Sequence, residues 1–187
     1  MHRYDPQTAL IVVDVQNDFA DPKGSLSVVG GPAAIPVVNR EAWAAIRAGA
    51  FVAYTQDWHP ERTPHFAQDG GIWPVHCVGG AWGSALHPAL EVVGPSVRKG
   101  ANGEDGYSGF TMRDPVSGIE VPTELDALLQ VRGIERVVVC GLATDYCVKS
   151  TALDGIRLGY ATTILLDAIA AVDLAPGDGG RALDELT

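Results

Sequence analysis

The stretch that decides the fold is Arg136-Val-Val-Val-Cys140-Gly-Leu-Ala-Thr-Asp-Tyr-Cys147-Val-Lys-Ser-Thr-Ala-Leu153. Residues 137–140 form a continuous apolar run of strand length, the pattern of a parallel strand covered on both faces. Residues 141–143 break the run as a turn. A helix is expected from Thr144 to about Leu158, with Gly159 suited to its C-cap. Cys147 then lies in the helix's first turn. Amide N–H groups there lack intrahelical partners and the helix dipole is positive, which biases a thiol toward thiolate. Most unpaired cysteines, however, are small apolar core residues. Cys147 therefore needs partners from elsewhere in the chain before chemistry can be assigned to it.

Outward from this stretch the same alternation recurs. Residues 8–15, Thr-Ala-Leu-Ile-Val-Val-Asp-Val, read as a buried strand. Residues 16–31 read as a loop, broken by Pro22 and several glycines. Residues 32–48 read as a helix, with Pro32 in its first turn and Gly49 at its C-cap. Strands are expected at 51–55, 96–99 and 162–166, a helix at 123–131, and a short helical piece at 181–186. Strands alternating with helices predict an α/β fold, a doubly wound parallel sheet with helices on both faces and right-handed crossovers. No repeat, low-complexity tract or internal boundary interrupts it, so residues 1–187 read as a single domain.

Composition narrows the function classes. The chain has 187 residues, 47% hydrophobic and 19% charged, an ordinary globular balance. Its formal net charge of −10 disfavours nucleic acid and anionic membrane surfaces as partners. It holds no apolar run of about eighteen residues, the length a membrane span needs. The first residues, Met-His-Arg-Tyr-Asp-Pro-Gln, lead into a strand without a signal-peptide core. Three cysteines without an export signal read as reduced thiols, and a cytoplasmic location is expected.

Several polar residues interrupt this apolar framework at the same kind of place. Asp14 ends the first strand run, Asp57 follows the second, Lys99 ends the third, and Cys147 follows the fourth. In open α/β sheets, ligands bind at the carboxyl ends of the strands. Each residue alone has a bland reading, Asp14 as a turn or cap and Lys99 as a solvated surface amine. Together a carboxylate, an amine and a thiol form a coherent unit. Asp14 can take the thiol proton and return it to a leaving amine, while Lys99 supplies positive charge beside both. Backbone N–H groups at Ala143 and Cys147 can receive a developing oxyanion.

Residues 56–84 have almost no regular pattern, and a loop of that length in a compact domain is usually functional. It carries Asp57, His59, His65 and His76, with prolines and glycines to stiffen it. Imidazoles beside a carboxylate suit zinc, iron or manganese, against the bland reading of scattered surface histidines. Cys77 reads as a packing thiol. Residues 102–109 form a Gly-rich loop without a phosphate-binding pattern.

These residues carry a resemblance. Asp14-Val-Gln-Asn-Asp-Phe19, Asp57-Trp-His59-Pro, His65, Trp73-Pro-Val-His76-Cys, Arg98-Lys99-Gly and Gly141-Leu-Ala-Thr-Asp-Tyr-Cys147-Val occur in family order. The chain resembles the nicotinamidase/pyrazinamidase branch of the isochorismatase-like cysteine hydrolases from about residue 8 to residue 167. The Asp-Trp-His-Pro and Trp-Pro-x-His-Cys pair is the more specific signal, because it marks the metal-bearing amidases. The resemblance implies Asp14, Lys99 and Cys147 as a catalytic triad, with an oxyanion hole at Ala143 and Cys147 behind a cis peptide. It implies Asp57, His59 and His76 as ligands of one divalent metal, most simply zinc with iron or manganese as alternatives, and His65 as a further ligand in some members. It implies that Phe19 and Trp73 sandwich a pyridine ring, with Tyr107 in the aromatic position of the Tyr-Ser-Gly-Phe segment. The acidic, glycine-rich residues 102–106 before it depart from the family pattern. The expected activity is deamidation of nicotinamide to nicotinate, and of pyrazinamide, in NAD salvage. The alternatives are an isochorismatase or an N-carbamoyl-amide hydrolase, and, from another class, a non-catalytic binding protein on the same fold. The resemblance predicts a sheet of five or six strands. It is compatible with a homo-oligomer and does not specify one.

Overall fold

The run Thr8–Val13 (β1) is buried along its whole length and forms the centre of a five-stranded sheet. The computed structural model describes residues 4–186; residues 1–3, read above as the lead into β1, and Thr187 lie outside the described residues. β1 pairs in parallel with Phe51–Asp57 (β2) on one side, and β2 pairs with Ser96–Lys99 (β3) at that edge. On its other side β1 pairs with Arg136–Leu142 (β6), which pairs with Ala161–Ala170 (β7). The order is therefore β3-β2-β1-β6-β7, all parallel. The chain grows outward from β1 in one direction, then crosses to the other side. The crevice beyond the C-terminal ends of β1 and β6 is the switch point where such sheets bind ligands.

Alternate β1 residues enter two cores, as strand geometry dictates. Leu10 and Val12 pack with Ile35, Val38, Ala42 and Ala45 of helix Gly31–Arg47 (α2). Ala9, Ile11 and Val13 pack on the opposite face with Leu125 and Leu129 of Leu125–Gln130 (α3) and Ala152 of Lys149–Arg157 (α4). This is the expected doubly wound arrangement, with five strands rather than six.

Several local expectations differ. The loop at residues 16–31 contains a one-turn helix, Asn17–Ala20 (α1). β2 runs two residues beyond the expected Thr55, so Asp57 is its last residue. A two-stranded antiparallel ribbon, Thr111–Arg113 (β4) with Glu120–Pro122 (β5), stands outside the main sheet. β7 continues past Asp167 to Ala170 because the pairing resumes after a register shift opposite Val139 and Gly141. The last helix is Asp178–Asp184 (α5) rather than residues 181–186.

Candidate active site

The described chain ends three strands at one point. Asp14, immediately after β1, takes a left-handed φ of 47°, and its side chain is fully buried. Asp is among the few non-glycine residues that visit this region routinely. Thr55 in β2 fixes it from both sides: the hydroxyl donates to Asp14 Oδ1 at 2.6 Å and accepts the Asp14 N–H at 3.2 Å. Asp57 is clamped by Gln16, which accepts its N–H at 2.8 Å and donates to its carbonyl at 2.7 Å.

Lys99, the last residue of β3, is only 2% exposed. Its Nζ lies 3.0 Å from Asp14 Oδ2, 2.5 Å from Asp57 Oδ1 and 3.5 Å from Cys147 Sγ. Asp14 Oδ2 pairs with the ammonium as an ion pair and has no aligned hydrogen-bond partner, so it remains open to a proton. Burial raises the Asp14 carboxyl, Lys99 opposes that rise, and Asp57 adds to it. Burial would also raise the Asp57 carboxyl, but Lys99 with His59 and His76 outweighs it and holds Asp57 well below the usual range. Burial works against the Lys99 ammonium, and Asp14, Asp57 and Cys147 overcome it, so the amine stays charged.

Cys147 corrects one expectation. Burial pushes its thiol well up; Lys99 works against that, while Asp14 and Asp57 reinforce it. Burial therefore works against the bias toward thiolate expected from its place at a helix start. The helix start is itself irregular. Thr144–Val148 forms a π-helical turn before α4, with Val148 N–H bonded to the Ala143 carbonyl at 3.0 Å. The Leu142–Ala143 peptide is cis. Gly141 before it has φ 109° in a tight approach to β1, where a Cβ would lie 2.1 Å from the Val13 carbonyl oxygen.

The histidines of the long loop converge beside this group. Potential ligand atoms of His59, His65 and His76 lie within 4.8 Å of one another, all three residues buried. Asp57 turns its Oδ2 toward two of them, 3.6 Å from His59 Nε2 and 3.7 Å from His76 Nε2. One carboxylate thus faces the lysine with one oxygen and the imidazoles with the other. The cluster fits a metal on its own geometry. Neither ring nitrogen of His59 has a hydrogen-bond partner, which is costly for a buried imidazole unless an ion takes the lone pair. His76 Nδ1 lies 2.7 Å from the Pro74 carbonyl and His65 Nδ1 lies 2.7 Å from Asp105, the outer contacts that metal-binding histidines make. One carboxylate and three imidazoles suit zinc. The His65 imidazole holds the Asp105 carboxyl down at about 2.

Cys147, Ala143, Asp57, His65 and His76 line a cavity with Phe19, Leu26, Trp73, Tyr107, Tyr146 and Val172. The lining is mostly aromatic and apolar, with the thiol, Asp57 and two imidazoles as its polar groups, the make-up of a small-molecule site. Trp73 donates from Nε1 to the Tyr107 hydroxyl at 3.0 Å and meets Tyr146 edge-on at 4.9 Å. All eleven residues singled out from the sequence therefore reach one region: Asp14 and Lys99 behind the thiol, His59 in the imidazole cluster, the rest on the cavity itself. Reasoning from sequence missed Thr55, Gln16, Asp105 and Tyr146. Only Tyr146 carried a signal, being adjacent to Cys147. Among the described residues, no helix is long and apolar enough to cross a membrane.

Comparison with known proteins agrees with this geometry. The isochorismatase domain pattern matches residues 8–178. The chain is 36% identical over 201 residues to the nicotinamidase of Escherichia coli (strain K12), covering 97% of this chain and 92% of that protein. It superposes on the crystal structure of the pyrazinamidase of Pyrococcus horikoshii in complex with zinc with a TM-score of 0.85, at 38% identity, over 97% of this chain and 94% of the other. For PnC1 from L. infantum in complex with nicotinate the TM-score is 0.87 at 36% identity, over 99% and 91% of the two chains.

Proposed function

The chain belongs to the isochorismatase family, and on that premise we infer that it is a cysteine amidohydrolase that converts nicotinamide to nicotinate and ammonia. Pyrazinamide, with the same carboxamide and a ring nitrogen in the same place, is a second substrate. The carrying observation is Cys147 Sγ on an aromatic-lined cavity, 3.5 Å from a buried lysine that also pairs with Asp14.

Phe19 and Trp73 hold the flat ring, and Tyr107 braces Trp73. Asp57, His59, His65 and His76 would hold zinc, which when bound would supply Lewis acidity toward the ring nitrogen. Fixing the ring presents the carboxamide carbon to the thiol, and such positioning is worth roughly several kcal/mol. Asp14 takes the Cys147 proton on its open Oδ2 as Sγ bonds to the carboxamide carbon. The carbonyl electron pair moves to oxygen, where the Ala143 and Cys147 amides receive it. The tetrahedral adduct collapses, the C–N bond breaks, and Asp14 gives its proton to departing ammonia. Water then loses a proton to Asp14 and attacks the thioester. The C–S bond breaks and Sγ recovers the proton. Lys99 stays charged throughout and, by opposing the rise that burial imposes on Asp14, keeps that carboxylate ionised and ready to take the proton.

Ammonia release from nicotinamide by wild type and by Cys147→Ala tests this. Wild type is expected to release ammonia and the variant to be inactive; ammonia release by the variant at the wild-type rate overturns the assignment.

A further inference from the structure

The imidazoles of the metal cluster are anchored in different ways. His76 is held within its own loop through the Pro74 carbonyl. His59 is held by ring packing, with His65 at 4.8 Å and Phe66 at 5.4 Å between centroids. His65 is anchored from a distant segment: its Nδ1 lies 2.7 Å from Oδ1 of Asp105, forty residues on. Asp105 sits in the Gly-rich loop between β3 and β4, and that loop is itself fixed. Asp105 and Arg113 exchange both backbone hydrogen bonds, at 2.8 and 2.6 Å, and Gly106 N–H donates to the same Oδ1 at 2.8 Å. Arg113 Nη2 adds an outer contact to Oδ2 at 3.4 Å.

An imidazole whose Nδ1–H is given to a carboxylate has only its Nε2 lone pair left to offer. We propose that Asp105 is a positioning residue of the metal centre, holding His65 in the Nδ1–H tautomer and in the orientation that makes it a full ligand. This rests on the metal reading above. It gives the acidic loop a role: residues 102–106 hold part of the metal site from outside the histidine loop.

The test is metal binding, read without turnover. Wild type, Asp105→Ala, Asp105→Asn, Arg113→Ala, His65→Ala and the Asp105/His65 double alanine variant are stripped with chelator and checked for fold by circular dichroism. Each is then titrated with zinc against a chromogenic competitor, and with cobalt(II) for its visible spectrum. Asp105→Ala should weaken zinc binding by about 10- to 100-fold, the usual cost of losing such an outer partner, and alter the cobalt bands. Asp105→Asn keeps an acceptor and should recover part of the loss. Arg113→Ala should bind like wild type. In the His65→Ala background, removing Asp105 should cost nothing further. Unchanged affinity and spectrum in Asp105→Ala, an equal loss in Arg113→Ala, or a full further loss in the double variant would each overturn the proposal. Should Asp105→Ala not fold, the near-isosteric Asp105→Asn carries the same cycle at smaller amplitude, and no loss there also overturns it. Failure of wild type to bind zinc would sink the metal reading and this proposal together. Binding by wild type with an indifferent Asp105 would sink the proposal alone.

Discussion

Replacing Lys99 with Met should destabilise the protein by about 3–5 kcal/mol at pH 7, the cost of orphaning a buried ionic partner. The size follows from the geometry. Nζ lies 3.0 Å from Asp14 and 2.5 Å from Asp57. At an effective dielectric of about 20, each contact is worth roughly 5–7 kcal/mol of attraction. Much of that is offset by removing three charges from water, at several kcal/mol per ion. Met retains most of the aliphatic volume, so a cavity contributes little and the loss reports the charge. Against a total of about 5–15 kcal/mol for a domain, the effect is large. The assay is urea unfolding of metal-free protein in chelator, so that no ion neutralises Asp57. The loss should narrow between pH 7 and pH 5. Without the ammonium, burial holds the folded Asp14 carboxyl further above its unfolded value, so the folded variant binds more protons and gains stability as pH falls. A loss under about 1 kcal/mol, the range of exposed pairs, would refute the reasoning. So would a loss that is the same at both pH values.

Other expectations rest on different contacts. Gly141→Ala should cost at least about 1–3 kcal/mol in urea unfolding, since its φ of 109° is disfavoured for Ala and the new Cβ would lie 2.1 Å from the Val13 oxygen. Thr55→Val removes the hydroxyl that lowers the Asp14 pKa, so the acid limb of the kcat/KM profile should move to higher pH. Trp73→Ala should raise KM for nicotinamide far more than Trp73→Phe, which loses the 3.0 Å bond to Tyr107 but keeps a ring face.

Much of this was legible in the sequence because the fold places its chemistry at strand ends. The apolar runs at 8–15 and 137–140 announce their strands, so Asp14 stands out as the exception in the first and Cys147 in the helix turn that follows the second. Ser96–Lys99 was legible to the residue because Gly100 ends it. The β4–β5 ribbon was not, since three-residue strands carry no measurable period. Nor was the end of β7, where Asp167 looks like a stop and pairing with β6 resumes only through tertiary contact. Thr55 appeared only as the end of the second expected strand, although its hydroxyl decides how Asp14 is held. Asp105 drew no reading of its own within the acidic residues 102–106, because its meaning depends on a histidine forty residues away. The thiol state of Cys147 failed for a related reason. Position on a helix was visible, but burial beside two carboxylates was not, and both push the thiol up.

The central claim is that Cys147 carries the acyl group of nicotinamide. Acid quenching during turnover, followed by peptide mass mapping, tests it most directly. The account predicts a nicotinoyl thioester on the peptide bearing Cys147 and none on those bearing Cys77 or Cys140. Turnover of nicotinamide by Cys147→Ala at the wild-type rate, with no adduct on any cysteine of the wild type, would contradict it.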